Sequence, residues 1–261
     1  MRIATISLNQ VWEDKDSNIK RIKHIMQDVS SHNPDMVIFP EMTLTGFTMN
    51  AECMAEEMSN SLTIDFFKSL SRKYHVACVF GIILRTKDKP TNNIVVVSDE
   101  GEMLAQYAKM HPFSYSGENS YYSKGNNAVC FSWQGHRIGL TICYDLRFPE
   151  LYQSLSRQCD TIINIANWPA RRVNDWNLLL HARALENQSY VLGVNRTGVD
   201  AKGLEYVKST IVVNPTGEDV IPVSIGDEID LFDIDKDAVE AYRKSFPVKD
   251  DRRIDLYKQI L

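Results

Sequence analysis

Short apolar runs recur along the chain, and between them apolar residues return every three or four positions. A short apolar run bounded by turn residues is a buried strand, while the three-and-four spacing is one face of a helix. Their alternation constrains the chain to an α/β fold with sheets covered by helices. Strands are expected at Arg2–Leu8, Asp35–Phe39 and Val76–Leu84. Ile19, Ile22, Ile25, Met26 and Val29 predict a helix over 17–30, and a second is expected near 64–74. Asn93–Val97 and Glu102–Tyr107 flank Asp99-Glu100-Gly101, a hairpin signal. Further strands are expected at 128–133, 137–142, 161–166, 190–195 and 210–213, with helices at 175–188 and 236–244.

The segment from Asn93 is echoed from Thr210: each reads as an apolar strand and then a glycine-bearing turn. No Pro/Gly/Ser-rich linker and no charge block divides the chain. Residues 1–261 therefore read as one domain, with 246–261 a C-terminal tail of no clear periodicity.

Composition narrows the function classes. Hydrophobic residues at 44% and charged residues at 24% are ordinary globular usage and exclude a disordered or low-complexity chain. The net charge of −5, from 29 basic and 34 acidic residues, argues against a nucleic-acid binder, which should be basic. No apolar run approaches the roughly 20 residues of a spanning helix, and the short apolar start turns acidic by Glu13, unlike a secretory signal. The five cysteines are odd in number and never closer than 13 residues, which is neither a disulfide framework nor a zinc pair. A cytoplasmic protein with no membrane partner is the expectation.

The chemistry sits at the strand ends. The strand at 35–39 ends in Pro40-Glu41, the strand through Tyr107 in Ala108-Lys109, the strand at 137–142 in Cys143, and the strand at 161–166 in Asn167-Trp168-Pro169. Ligands gather at the carboxyl ends of strands in open α/β sheets, so a carboxylate, an ammonium, a thiol and an indole converge on one rim. Cys143 sits between a strand end and a helix start marked by Pro149-Glu150, near free N–H groups that favour thiolate and bind an oxyanion. Spacing alone leaves a buried structural cysteine equally open, and for Cys78, Cys130 and Cys159 the structural reading is preferred. Alone, Glu41 could be a capping or salt-bridged residue rather than a general base, and Lys109 a solvated strand end. His111 as a Cys–His base is a minor alternative. No phosphate loop, dinucleotide fingerprint, serine elbow or metal-ligand spacing is present.

Three segments together carry a resemblance. Phe39-Pro40-Glu41 with Gly46-Phe47, Tyr107-Ala108-Lys109-Met110-His111-Pro112 with Gly117-Glu118, and Leu140-Thr141-Ile142-Cys143-Tyr144-Asp145-Leu146-Arg147-Phe148-Pro149-Glu150 resemble the nitrilase superfamily of carbon–nitrogen hydrolases. Order and spacing match, and the likeness runs from Arg2 to the tail around Tyr257. Phe47 stands where many relatives have Tyr. Asn167-Trp168-Pro169-Ala170-Arg171 and the stretch from Trp176 to Gln188 look like the ω-amidase branch, which hydrolyses the terminal amide of 2-oxoglutaramate and similar short dicarboxylate monoamides.

The resemblance implies an α-β-β-α sandwich, two mixed sheets flanked by helices, whose protomers pair as a homodimer or a higher homo-oligomer. It implies that Cys143 attacks the amide carbon and Glu41 moves the protons. Lys109 and the N–H of Tyr144 hold the oxyanion, and Glu118 orients Lys109 or the substrate amide. It implies a thioester intermediate and no metal or organic cofactor. Trp168 is the expected pocket wall. A dicarboxylate monoamide needs a cation for its free carboxylate, and Arg147 is the expected one, although an ion pair with Glu150 or another acid is equally open. Arg171 and Arg172 are alternatives. The same chemistry on a nitrile, an N-carbamoyl amino acid or a deaminated peptide stays open, as does a non-catalytic binding scaffold.

Overall fold

The computed structural model describes residues 1–260; Leu261, the last residue of the expected tail, lies outside the described residues. In chain order the elements are β1 (Arg2–Ile6), α1 (Lys15–Ser30), β2 (Met36–Ile38), α2 (Ala51–Met54), α3 (Leu62–Tyr74), β3 (Ala77–Leu84), β4 (Thr91–Val97), β5 (Met103–Ala108) and α4 (Glu118–Tyr121). Next come β6 (Cys130–Trp133), β7 (His136–Ile142), α5 (Pro149–Leu155), β8 (Thr161–Ala166), α6 (Val173–Asn187), β9 (Tyr190–Asn195), β10 (Gly198–Val199) and β11 (Glu205–Tyr206). The chain closes with β12 (Ile211–Val213), β13 (Val223–Ile225), β14 (Ile229–Asp233), α7 (Lys236–Ser245) and α8 (Ile254–Ile260).

Strand alternation divides every buried strand between two cores. In β1, β2, β3 and β4, Ile3, Met36, Ile38, Ala77, Val79, Ile94 and Val96 face one way and meet Ile138, Leu140, Ile142, Ile163, Ile165, Leu192 and Val194 of the other sheet. The opposite faces carry Ala4, Ile6, Val37, Phe80, Val95 and Val97 against α1 and α3. Ile162, Ala166 and Val191 do the same against α5 and α6. Two faces buried per sheet explain why the strand sequences are continuous apolar runs rather than alternating ones. The result is the α-β-β-α sandwich. One sheet has the order β13-β14-β1-β2-β3-β4-β5, the other β12-β9-β8-β7-β6. Both are mixed, with β1-β2-β3 and β7-β8-β9 parallel and their outer neighbours antiparallel. The two echoed segments hold equivalent places: β4 and β12 each lie antiparallel on the last strand of a parallel trio.

Helix starts obey their caps. The Asp14 carboxylate accepts the Ser17 N–H ahead of α1, and Ser61 Oγ accepts the Ile64 N–H ahead of α3. Pro149 opens α5, of which only the first turn was legible. β13 and β14 were not expected; in β14, Asp230 and Asp233 interrupt the apolar pattern. Asp230 is buried on β14, one strand in from the sheet edge, and is matched there by Lys208 Nζ at 3.0 Å. The tail holds a helix, α8, with no buried residue, and its approach packs on the chain itself through Lys249 Nζ to the Ser156 carbonyl at 2.6 Å.

Gly193 on β9 lets α6 approach: a Cβ there would lie 2.3 Å from Leu180 Cδ1 and 2.8 Å from Trp176 Cζ2. Gly193→Ala is therefore expected to lower stability by about 1–3 kcal/mol, the usual cost of overpacking, read from the urea midpoint at constant slope. An unchanged midpoint would show that α6 yields freely.

Candidate active site

Four strand ends meet where the two sheets face each other. The loop after β2 carries Glu41 across β3, and it can do so only because position 81 has no side chain. A Cβ on Gly81 would lie 2.2 Å from the Met42 nitrogen and 2.8 Å from Glu41 Cα. The loop is then stitched down. Thr43 N–H donates to the Gly81 carbonyl at 3.0 Å, and Gly81 N–H to Thr43 Oγ1 at 2.9 Å. Gln10 Nε2 reaches the carbonyls of Glu41, Met42 and Thr43 at 3.0, 3.0 and 3.2 Å.

Glu41 has no solvent exposure, and each of its oxygens is held. Oε1 accepts from Lys109 Nζ at 3.0 Å and from Asn92 Nδ2 at 2.7 Å; Oε2 accepts the Asn167 N–H at 2.9 Å. Lys109, just past β5, spends its remaining donors on Glu118, at 3.1 Å to Oε1 and 2.9 Å to Oε2. Glu118 also accepts from Asn92 Nδ2 at 3.2 Å and from the Phe113 N–H. Burial by itself would push the Lys109 ammonium down, but Glu118 and Glu41 outweigh it and hold Lys109 well above its ordinary range. Glu118 is raised, by burial first and by the Glu41 charge, with Lys109 working against both.

Cys143 ends β7 with φ +47°, a left-handed conformation unusual for a residue with a side chain, and opens the 3-10 turn Cys143–Arg147. Such a residue costs of order 1–3 kcal/mol and persists only where its surroundings impose it. Asp145 does the imposing. Its buried carboxylate accepts the Ile142 N–H at 2.9 Å, the Tyr107 hydroxyl at 2.7 Å and the His111 N–H at 3.0 Å, and it pairs with His111 Nδ1 at 2.7 Å. One side chain thus ties the cysteine turn to both sides of Lys109. His111 is engaged with Asp145 and stacked on Phe148 at 3.8 Å, which fits a structural role better than that of a base for the thiol. Burial, and then the Glu41 charge, push the Cys143 thiol well above its usual range, while Lys109 and the Asn167 N–H pull the other way. A thiol raised in this way favours its protonated form, and any thiol becomes a strong nucleophile only once a base has taken its proton.

Above these groups lies a cavity of about 180 Å³, lined by Lys109, Cys143, Tyr144, Asn167, Trp168, Phe47, Phe113, Tyr206, Arg147, Arg171 and Arg172 among others. That suits a small molecule. Phe47 presents its ring 5.4 Å from Lys109 Nζ. Trp168 is fixed by Nε1 to the Arg172 carbonyl at 2.7 Å and by Asn195 on its backbone. Arg147 reaches the cavity but is paired with Asp175 at 2.7 Å, not with Glu150, and lies over the Trp168 ring at 5.1 Å. Arg172 stacks on Phe113 at 5.1 Å; burial first, then Arg171 and Arg147, hold its guanidinium below its ordinary value.

The structure therefore brings Glu41, Lys109, Glu118 and Cys143 into one cluster and puts Tyr144, Arg147 and Trp168 on the cavity wall. Sequence reasoning missed Asn92 and Asp145. Asn92 had a signal, an amide inside an otherwise apolar strand; Asp145 had none, because its partners are remote in sequence. Among the described residues no three His, Cys, Asp or Glu side chains are grouped to hold a metal ion, and no helix is long and apolar enough to cross a membrane.

Residues 2–244 match the carbon–nitrogen hydrolase family. The chain is 31% identical over 253 residues to the omega-amidase YafV of Escherichia coli, covering 96% of each chain. It is 31% identical over 258 residues to the 2-oxoglutaramate amidase of Bacillus subtilis, covering 98% of each. A solved structure of a CN-hydrolase superfamily protein from Xanthomonas campestris superposes with a TM-score of 0.89 at 28% identity, over 97% of both chains. By sequence and by fold the chain belongs to the carbon–nitrogen hydrolases of the nitrilase superfamily, and it is a hydrolase acting on amides.

Proposed function

We propose that this amidase uses Cys143 as its nucleophile and hydrolyses the terminal amide of small dicarboxylate monoamides, of the 2-oxoglutaramate and succinamate type, releasing ammonia. The observation that carries the reading is the buried Glu41–Lys109–Glu118 cluster bearing on a neutral thiol at a strained strand end. The names of the two amidase relatives support the substrate class.

In this reading Cys143 Sγ attacks the amide carbon while Glu41 takes the thiol proton. The ammonium of Lys109 and the N–H of Tyr144 stabilise the charge developing on the amide oxygen. Glu41 passes its proton to the departing nitrogen, ammonia leaves, and a thioester remains on Cys143. Glu41 then takes a proton from water, the hydroxide adds to the thioester carbon, and the acid is released as the thiol recovers its proton. Glu118 holds Lys109 in line. The modest cavity favours a short acyl chain. For the free carboxylate we favour Arg172 over Arg147. Arg147 is already neutralised by Asp175, whereas Arg172 makes no ion pair among the described residues and is crowded by two like charges. Pairing of protomers belongs to the same reading and is supported by Leu178 and Leu185, exposed on α6 at 72% and 52%. Light scattering is expected to return at least twice the mass of one chain.

The deciding assay is ammonia release from 2-oxoglutaramate and succinamate. Wild type is expected to be active and Cys143→Ala inactive. Activity confined to nitriles, carbamoyl compounds or deaminated peptides would overturn the substrate assignment; undiminished activity in Cys143→Ala would overturn the mechanism. Glu41→Gln, which keeps shape but removes the base, is expected to lower kcat about 10²–10⁴-fold. Arg172→Leu is expected to raise KM for 2-oxoglutaramate roughly tenfold or more, the worth of a charged hydrogen bond, with turnover of an uncharged short amide retained. Equal loss on both substrates would remove Arg172 from carboxylate binding.

A further inference from the structure

Outside the cluster around Cys143, two other thiols meet. Cys130 Sγ on edge strand β6 lies 2.7 Å from Cys159 Sγ, which is buried between α5 and β8. The register explains the meeting. Cys130 pairs across the ladder with Gly139, and a Cβ at that glycine would lie 3.3 Å from Cys159 Sγ. The missing side chain leaves the space in which the two sulfurs converge. The backbone of Cys159 is held on both sides, its N–H by the Leu155 carbonyl at 3.0 Å and its carbonyl by Arg243 Nη2 at 2.8 Å. Cys130 is open to solvent through a surface pocket of about 350 Å³ that also contains Arg137 and Gln158.

We infer that Cys130 and Cys159 form a reversible redox site, oxidised by a small hydroperoxide to an intramolecular disulfide. The two sulfurs have different roles. A hydrogen bond from Cys159 first, and the Arg137 charge second, hold the Cys130 thiol below its ordinary range, and Cys159 is raised in return. Cys130, which lines the surface pocket beside Arg137, is the accessible sulfur that reacts first, and the buried Cys159 behind it is the resolving thiol. The Cys130 thiolate attacks the peroxide, the O–O bond breaks, and sulfenic acid and hydroxide form, the hydroxide taking up the proton the thiol released to become water. The Cys159 sulfur then attacks the Cys130 sulfur, its proton joins the departing hydroxyl, and a second water leaves. In sum two thiols and one hydrogen peroxide give one disulfide and two waters, the peroxide receiving two electrons. Bond formation asks the sulfurs to close from 2.7 Å to about 2.0 Å. An external dithiol reverses it.

The test treats the full chain with a small excess of hydrogen peroxide, then blocks remaining thiols under denaturing conditions with N-ethylmaleimide. The expected result is an intact mass lacking two labels and two hydrogens, restored by dithiothreitol, with a cross-linked peptide joining Cys130 to Cys159. Cys130→Ser, remote from the cavity over Cys143, is expected to keep amidase turnover and lose the cross-link. Cys159→Ala is expected to stop at a Cys130 sulfenic acid trapped by dimedone, so the proposal stays testable even if one variant folds poorly. Five labels retained after treatment, or over-oxidation of Cys130 without the cross-link, would overturn it.

Discussion

An ammonium shared by two carboxylates, all three buried, is the constraint on which the site depends. A buried charge is tolerated only when it is paired and its hydrogen-bonding capacity is met. Lys109 has three N–H donors and all three are used on Glu41 and Glu118. Asn92 serves both carboxylates with one amide group, and backbone N–H groups of Asn167 and Phe113 supply further donors. The same arrangement fixes both oxygens of Glu41 in place and holds the Lys109 ammonium well above its ordinary range.

The rest of the architecture serves that closeness. Two parallel trios of strands face each other, and the middle strand of each, β2 and β8, sends a loop into the seam. Glu41 lies just past one and Asn167 just past the other, and they bond to each other twice, through the Glu41 carboxylate and the Glu41 carbonyl. Gly81 keeps the first loop low, and Asp145 binds the cysteine turn to the chain on both sides of Lys109. The cluster is placed by backbone packing more than by its own attractions, which suits a group of like and unlike charges that would not assemble unaided.

The Cys143 region and the Cys130–Cys159 pair contrast two thiol environments in one fold. Cys143 is enclosed with carboxylates and keeps its proton. Cys130 is open, beside a guanidinium and a second thiol, and gives its proton up more easily.

Most strands were legible because burial on both faces writes them as continuous apolar runs. Glu41 and Cys143 were legible because each follows such a run, and Lys109 because it follows the second strand of a hairpin. β14 was not, since its buried Asp230 is satisfied by a partner that only the fold supplies, Lys208. Arg147 was legible as a cation near Cys143 but not as one already matched by Asp175, 28 residues on. The sequence by itself determined the layering, the strand ends that carry reactive groups, and the resemblance that orders them. The tertiary structure alone decided which charges are paired and that two distant cysteines touch. Hydrophobic periodicity is a local property of the chain. Pairing of polar groups across the seam depends on distances that exist only after the sheets have packed.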